Sequence, residues 1–334
     1  MPTTATPLKY SRTGGCKRAM PTVEDFEVGV EIEGAFRRDA CPQRGSHRYG
    51  VDMPSSYPKY DPQGSNQPWV LMSDSSIRYR GRAGAEVVSP KMKGEKALQG
   101  IIDMVTYLKE NDFKVNASCG LHIHVGLNSI CGPNASADDV VAFIAELNKL
   151  VWNTQTALFA STGTRRDNSG WCAPLRKGSN MMDLIANIRD KRKGTKNESD
   201  FRNISRRAYK YEILNLSRLS HGISGNKTTL EFRFMAGTLN LSKIMFHLTS
   251  IFFLCRLAWQ NRHTQYKPMD WNEKSWTSSQ PRGEGAKCLN FLIKRMNSQN
   301  SGYWMKGDSP ILNEYWEKGQ RWAKKMAEKF DTRY

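Results

Sequence analysis

From Phe26 to Phe36, Val28, Val30 and Ile32 alternate with Gly29, Glu31 and Glu33. Successive side chains of a strand point to opposite faces, so this segment reads as a strand with one apolar face to bury and a second face carrying two carboxylates. His122-Ile123-His124 and Glu231-Phe232-Arg233 repeat the arrangement, each with a charged or ionisable pair flanking an apolar residue. Three such pairs predict one sheet with a polar working face, a narrower demand than any single Glu-x-Glu makes. Carboxylates, imidazoles and a guanidinium suit divalent cations that hold phosphate oxygens.

With 334 residues, 39% of them hydrophobic, the chain can bury a sizeable core as one large domain or a domain with an appendage. Its net charge of +18 fits a polyanion, a nucleotide or an acidic substrate, and charge alone does not choose among them. The basic residues are scattered, with local density at Arg37-Arg38, Arg165-Arg166, Lys191-Arg192-Lys193 and Arg206-Arg207, and most of them read as solvated surface. Seven widely spread cysteines without a Cys-x-x-Cys fit free thiols in a reducing compartment. The polar, basic N-terminus lacks the apolar stretch of a secretory signal, so a cytoplasmic location is expected. Ile244 to Leu254, the most apolar run, is interrupted by His247 and bounded by Lys243 and Arg256, and reads as too short and polar to span a bilayer.

Periodicity divides the rest. Met1 to about Thr22 reads as a flexible basic tail, residues 23–265 as the main domain and residues 266–334 as a helical extension packed on it. Beyond the first strand, Arg37 to Pro68 reads as a long loop rich in Pro, Gly, Ser and Tyr. Strands are expected at Trp69 to Met72, Ala85 to Val88, Val115 to Leu127, Tyr211 to Leu216 and Thr228 to Phe234. Helical spacing of Leu98, Ile101, Ile102, Val105 and Leu108 predicts a helix over Gly94 to Asn111. Ser136 and Asp139 have the spacing of a capping box opening a helix to about Phe159. A basic loop from Thr162 to Gly178, a short helix from Ser179 to Arg189 and a polar linker to about Ser199 follow. An amphipathic helix is expected from Leu241 to Trp259, and a last one from Ser309-Pro310, with Ile311, Tyr315, Trp322 and Met326 as its core-packing stripe.

Strands separated by long connections and followed by helices argue for an α+β fold. Neither a Gly-x-Gly-x-x-Gly fingerprint nor a P-loop is present, so a bound nucleotide must be held by other means. His122 and His124 also admit a structural role, or, with Cys119, a zinc site of the form Cys-x-x-His-x-His. A metal-dependent hydrolase and a basic nucleic-acid-binding protein therefore remain open beside a nucleotide-using enzyme.

Six motifs then occur in order: Gly29-Val-Glu31-Ile-Glu33-Gly34, Ser73-Asp74-Ser75-Ser76, Gly84-Ala-Glu86-Val-Val-Ser89-Pro90, Cys119-Gly-Leu-His122-Ile-His124-Val, Leu214-Asn215-Leu216 and Thr229-Leu-Glu231-Phe-Arg233. Together they resemble the amidoligase family of the carboxylate-amine ligase superfamily, which includes glutamine synthetase and glutamate-cysteine ligase. The resemblance spans Phe26 to roughly Ser250. It implies a glutamine-synthetase-like fold, a mainly antiparallel curved sheet with helices packed on one face, and ATP-dependent amide formation through an acyl phosphate. It further implies ATP with Mg2+ or Mn2+ as cofactors. Glu31, His122 and Glu231 would hold the metal nearest the transferred phosphoryl group, and Glu33, Asp74 and Glu86 the metal nearer the acceptor carboxylate. Arg233 would contact phosphate, with Glu31 and Glu231 completing the catalytic set. Arg165, Arg166 and Asn215 are candidate nucleotide contacts, as are Arg176 and Lys177 by charge, and His124 and Ser76 candidate substrate contacts. The implied partners are small-molecule or peptide carboxylates and amines, with nucleic acid less favoured and no membrane span. The family is frequent in phages, and a phage origin would place the protein in the host cytoplasm.

Overall fold

A computed structural model describes residues 20–38, 51–52, 69–175, 185, 198–221, 228–263, 284–298 and 308–332. Eight strands form one sheet: β1 (Glu27–Arg37), β2 (Val51–Asp52), β3 (Val70–Ser73), β4 (Arg82–Val88), β5 (Met92–Lys93), β6 (Gly120–Gly126), β7 (Leu214–Asn215) and β8 (Thr229–Ala236). Their spatial order is β2-β3-β4-β1-β6-β8-β7, with β5 also paired to β1, and every pairing is antiparallel. The α+β class read from the sequence is the class observed.

The alternation in β1 does what its period demands. Val28, Val30 and Ile32 are buried in one core with Val87 of β4, Ile123 and Val125 of β6 and Phe232 of β8. The same core takes in residues of the helices α1 (Gly94–Glu110), α3 (Ala137–Ala160) and α5 (Leu241–Asn261). Phe26, just before β1, stacks on Phe252 of α5 with ring centroids 4.3 Å apart. A five-residue helix, α2 (Leu127–Cys131), follows β6 directly.

Helix starts follow the sequence closely. Ser136 Oγ accepts the Asp139 N–H at 3.1 Å, and Ser309 Oγ accepts the Leu312 N–H at 3.0 Å with Pro310 in the first turn. The C-terminal helices α6 (Gly285–Asn297) and α7 (Pro310–Asp331) pack on α3 and α5. Asp331 at the end of α7 accepts the Gly285 and Ala286 N–H groups at 2.8 and 2.9 Å, so one helix end caps the start of the other.

Four expectations change. A helix, α4 (Glu198–Arg207), begins at the end of the stretch read as polar linker; its only strongly apolar residues are Phe201 and Ile204, too few to show a period. The strand expected over Tyr211 to Leu216 is reduced to the two residues of β7. The buried face of α7 is Leu312, Trp316, Ala323, Ala327 and Phe330, with Ile311, Tyr315, Trp322 and Met326 half-buried beside it. Gly319 lies on the same face: a Cβ there would lie 2.8 Å from the Ser242 carbonyl oxygen, so α7 runs against α5 at close range. Finally, α5 at 21 residues is long and apolar enough to cross a membrane by length and composition, but 78% of its apolar window is buried inside the protein. Of the helix expected over Ser179 to Arg189, only Ile185 is among the described residues, and it is helical; Arg176, Lys177 and Lys191 to Lys193 lie outside them, as does the tail to residue 19.

Candidate active site

The antiparallel register lines the polar residues up across the sheet. Glu86 of β4 is opposite Glu33 of β1, Glu31 is opposite His122 of β6, and His124 is opposite Glu231 of β8, which is in turn opposite Asn215 of β7. Directly opposed residues share a face, so five strands contribute to one polar row. A β-bulge falls within it: Leu121 pairs with Met235 and Ile123 with Phe232, leaving Arg233 and Phe234 together opposite His122. The extra residue restores the apolar side after Arg233, because Phe234 and Met235 are both buried.

The row forms a wall of a cleft of about 1450 Å³. His122 is its hub, with Nδ1 hydrogen-bonded to Glu31 Oε2 at 2.9 Å and 3.8 Å from Glu231 Oε1, and Nε2 3.5 Å from Glu33 Oε1. His124 Nε2 is 2.9 Å from the other Glu31 oxygen. Asn215 Nδ2 donates to Glu231 Oε2 at 2.6 Å, and its Oδ1 accepts the Ser217 N–H at 2.9 Å, which fixes the amide orientation. Arg233 Nη1 donates to Glu231 Oε1, and its Nε donates to the Trp171 carbonyl at 3.3 Å. Gly120 N–H donates to Glu33 Oε2; a Cβ there would lie 2.9 Å from an Arg166 nitrogen and 3.0 Å from His122 Nε2. Glycine is therefore what lets these groups close on β6.

Burial alone would raise the Glu31 carboxyl, but the close contacts with His122 and His124 outweigh it and hold it well below the usual carboxylate range. For His124 burial pulls downward, and Glu31 more than offsets it, leaving the imidazole above its ordinary value. Glu86 is pushed up to about 9 by burial first, then by the charge of Glu31 and a hydrogen bond to it, and by Glu33 and Asp74. Carboxylates converge here without enough positive charge.

Two groups of three have ligand atoms close enough to share one ion: Glu31, His122 and Glu231, and Glu33, Glu86 and His122, the atoms in each lying within 4.8 Å of one another. The His122 Nε2 atom is buried without a hydrogen-bond partner among the described residues. Hard carboxylate oxygens with one imidazole, crowded enough to raise Glu86, form a donor set that fits magnesium or manganese. Zinc on Cys119 fits less well, because the buried Cys119 sulfur turns to Asn116 Oδ1, 3.5 Å away, and Cys119 joins neither group.

Glu31, Glu33, Asp74, Ser76, Glu86, His122, Arg165, Arg166, Asn215, Glu231 and Arg233 all line the cleft; His124 does not, and touches Glu31 instead. Asp74 stays outside both three-residue groups, and its Oδ1 accepts the Ser76 N–H at 2.7 Å. Arg165 is paired with Asp167 at 3.0 Å, and buried Arg166 donates to the Cys119 carbonyl at 3.0 Å, so each is already engaged within the protein. Trp171, Lys210 and Arg218, which periodicity did not single out, also line the cleft. Trp171 packs edge-on against Tyr211, and Tyr211 lies under Arg233 and Lys210.

An open antiparallel sheet gathers four carboxylates, two imidazoles and a guanidinium on its polar face, with two three-residue groups whose ligand atoms are close enough to share an ion. A family model described as "Putative amidoligase enzyme" matches residues 24–250, and the chain belongs to that family, which makes it a ligase-type enzyme. No curated protein matches the chain.

Proposed function

We propose that this chain is an ATP-dependent carboxylate-amine ligase with a glutamine-synthetase-like site, acting in the cytoplasm on an amino acid, peptide or protein carboxylate. The observation that carries this reading is the row from Glu86 to Asn215 across five strands, in a chain of the amidoligase family. Glu31, His122 and Glu231 would hold one ion and Glu33 with Glu86 a second. A neutral imidazole has one lone pair for a metal, so His122 serves one group only. With Nδ1 given to the Glu31–Glu231 group, Nε2–H is left as a donor toward Glu33, and Asp74, which also lines the cleft, becomes the natural third carboxylate of the other group. Magnesium or manganese bound there supplies charge neutralisation on phosphate oxygens.

The chain's own residues supply orientation and charge. Asn215 and Arg233 fix Glu231, and His124 fixes Glu31. With ATP bound, a substrate carboxylate oxygen would attack the γ-phosphorus with loss of ADP, and the amine would then attack the acyl carbon, giving up a proton as phosphate departs. Arg233, which lines the cleft, would offset the charge that develops on the group in transfer. Phosphate release from ATP, measured against pooled amino acids and cell extract with magnesium or manganese, tests the reading. Release that requires both ATP and an added carboxylate supports a ligase. Turnover of amides without ATP would replace it with a hydrolase.

A further inference from the structure

A second cavity, of about 190 Å³, lies between the turn at Thr162–Thr164, the end of β8 and α7, and shares Thr164 with the main cleft. None of its lining residues among those described is acidic, and none belongs to the carboxylate–histidine row. Two lysines line it, Lys243 from the first turn of α5 and Lys329 from the last turn of α7, and the Lys243 ammonium sits 4.3 Å from the centre of the Trp322 ring. His247, 1% exposed, also lines it. Its ring meets Phe234, Phe246 and Trp322 edge-on, and its Nδ1 is buried without a hydrogen-bond partner among the described residues. Burial, aided by Lys243, pushes His247 down to about 3, so the imidazole is neutral and offers one N–H donor and one acceptor.

The cavity thus collects what an anion needs. Lys243 is held below its ordinary value by burial and by Lys329, a mutual repulsion that an anion between the two ammonium groups would relieve. The rest of the wall joins an apolar side, made by the Trp322 ring, Met326 and Ala236, to the turn residues Thr162, Thr164 and Thr238. A buried ring nitrogen without a partner among the described residues calls for an explanation, and a ligand acceptor provides one. Gly163, at φ +66 with its missing Cβ 2.8 Å from the Met326 sulfur, brings the turn against α7 and closes the cavity at that end.

We propose that this cavity binds a small organic carboxylate with an apolar body. Its carboxylate is placed between Lys243 and Lys329, within reach of His247, and its body lies against Trp322 and Met326. The site does not depend on the ligase reading, because it uses none of the residues assigned to that chemistry.

The test is a titration of the full chain with benzoate, and separately with inorganic phosphate, by calorimetry. Benzoate is expected to saturate one site, and Lys243→Gln to weaken it by roughly tenfold or more, the scale of losing one charge-assisted hydrogen bond. Lys329→Gln, at an exposed position, gives an independent variant whose fold is not at risk, and should weaken benzoate in the same direction. Arg233→Ala should leave benzoate affinity unchanged. Absence of saturable binding, wild-type affinity in both lysine variants, or loss of binding only in Arg233→Ala would overturn the proposal, the last by placing the carboxylate in the main cleft. Saturation by phosphate with no response to benzoate would overturn the class of ligand.

Discussion

The two ends of the polar row are held in opposite ways. Toward β7, Glu231 is engaged by Asn215 and Arg233, and Glu31 by His122 and His124, so each carboxylate already has a donor. Toward β4, Glu86 meets Glu31, Glu33 and Asp74 and is driven up to about 9. One end is organised by the protein's own side chains, with Arg233 on the same Glu231 oxygen that faces His122. The other is a set of crowded carboxylates whose mutual repulsion, added to burial, keeps a proton on Glu86.

Breaking the pre-organised end should cost most. Glu231→Gln removes a proposed metal ligand and the charge that pairs with Arg233, and carboxylate-dependent ATP turnover is expected to fall by roughly a thousandfold, the upper range for losing a preorganised charge. Arg233→Ala should lower kcat and kcat/KM together by roughly a hundredfold. A rise in KM alone in steady-state kinetics would reassign the guanidinium to ground-state binding. Asn215→Ala removes only the support of Glu231, and metal titrations of activity should shift by about 10- to 100-fold. An unshifted titration would show that Arg233 holds Glu231 without help.

The crowded end should respond to pH in the metal-free protein. Glu86 has a folded value near 9 against 4.5 for the free carboxyl, so between those values the folded state keeps a proton that the unfolded chain has lost. Stability therefore declines as pH rises through that window. Glu86→Gln should flatten the decline in chemical denaturation and raise the metal concentration needed for activity. Magnesium or manganese must displace the proton, so metal affinity should strengthen as pH rises toward about 9. The smallest effect is expected at His247, buried and neutral with its value pushed from 6.5 to about 3. There the unfolded state gains the proton first, stability falls as pH drops below 6.5, and His247→Phe should reduce that acid sensitivity.

Much of the row was legible because strand period and motif order act locally. Alternation in β1, β6 and β8 gave Glu31, Glu33, His122 and Glu231 a common face, and register did the rest. What stayed hidden depends on tertiary closure. Nothing in Glu198–Arg207 shows an apolar period, so α4 was invisible, and β7 is too short to be set by its own residues. Arg165 and Arg166 read as nucleotide contacts, and the fold pairs one with Asp167 and buries the other against Cys119. His124 read as a substrate contact, and its role as a partner of Glu31 follows only from the β1–β6 register. Trp171 sits in a turn without period, and only the fold brings it beside Arg233.

Carboxylate activation at this face is tested most directly by trapping. The protein is incubated with ATP, magnesium, pooled carboxylates and hydroxylamine, and hydroxamate is measured for the wild type and for Glu231→Gln. Hydroxamate that appears only with ATP and is lost in the variant is the expected result. Hydroxamate formed without ATP, or formed equally by the variant, would contradict acyl-phosphate chemistry on the Glu31–His122–Glu231 row.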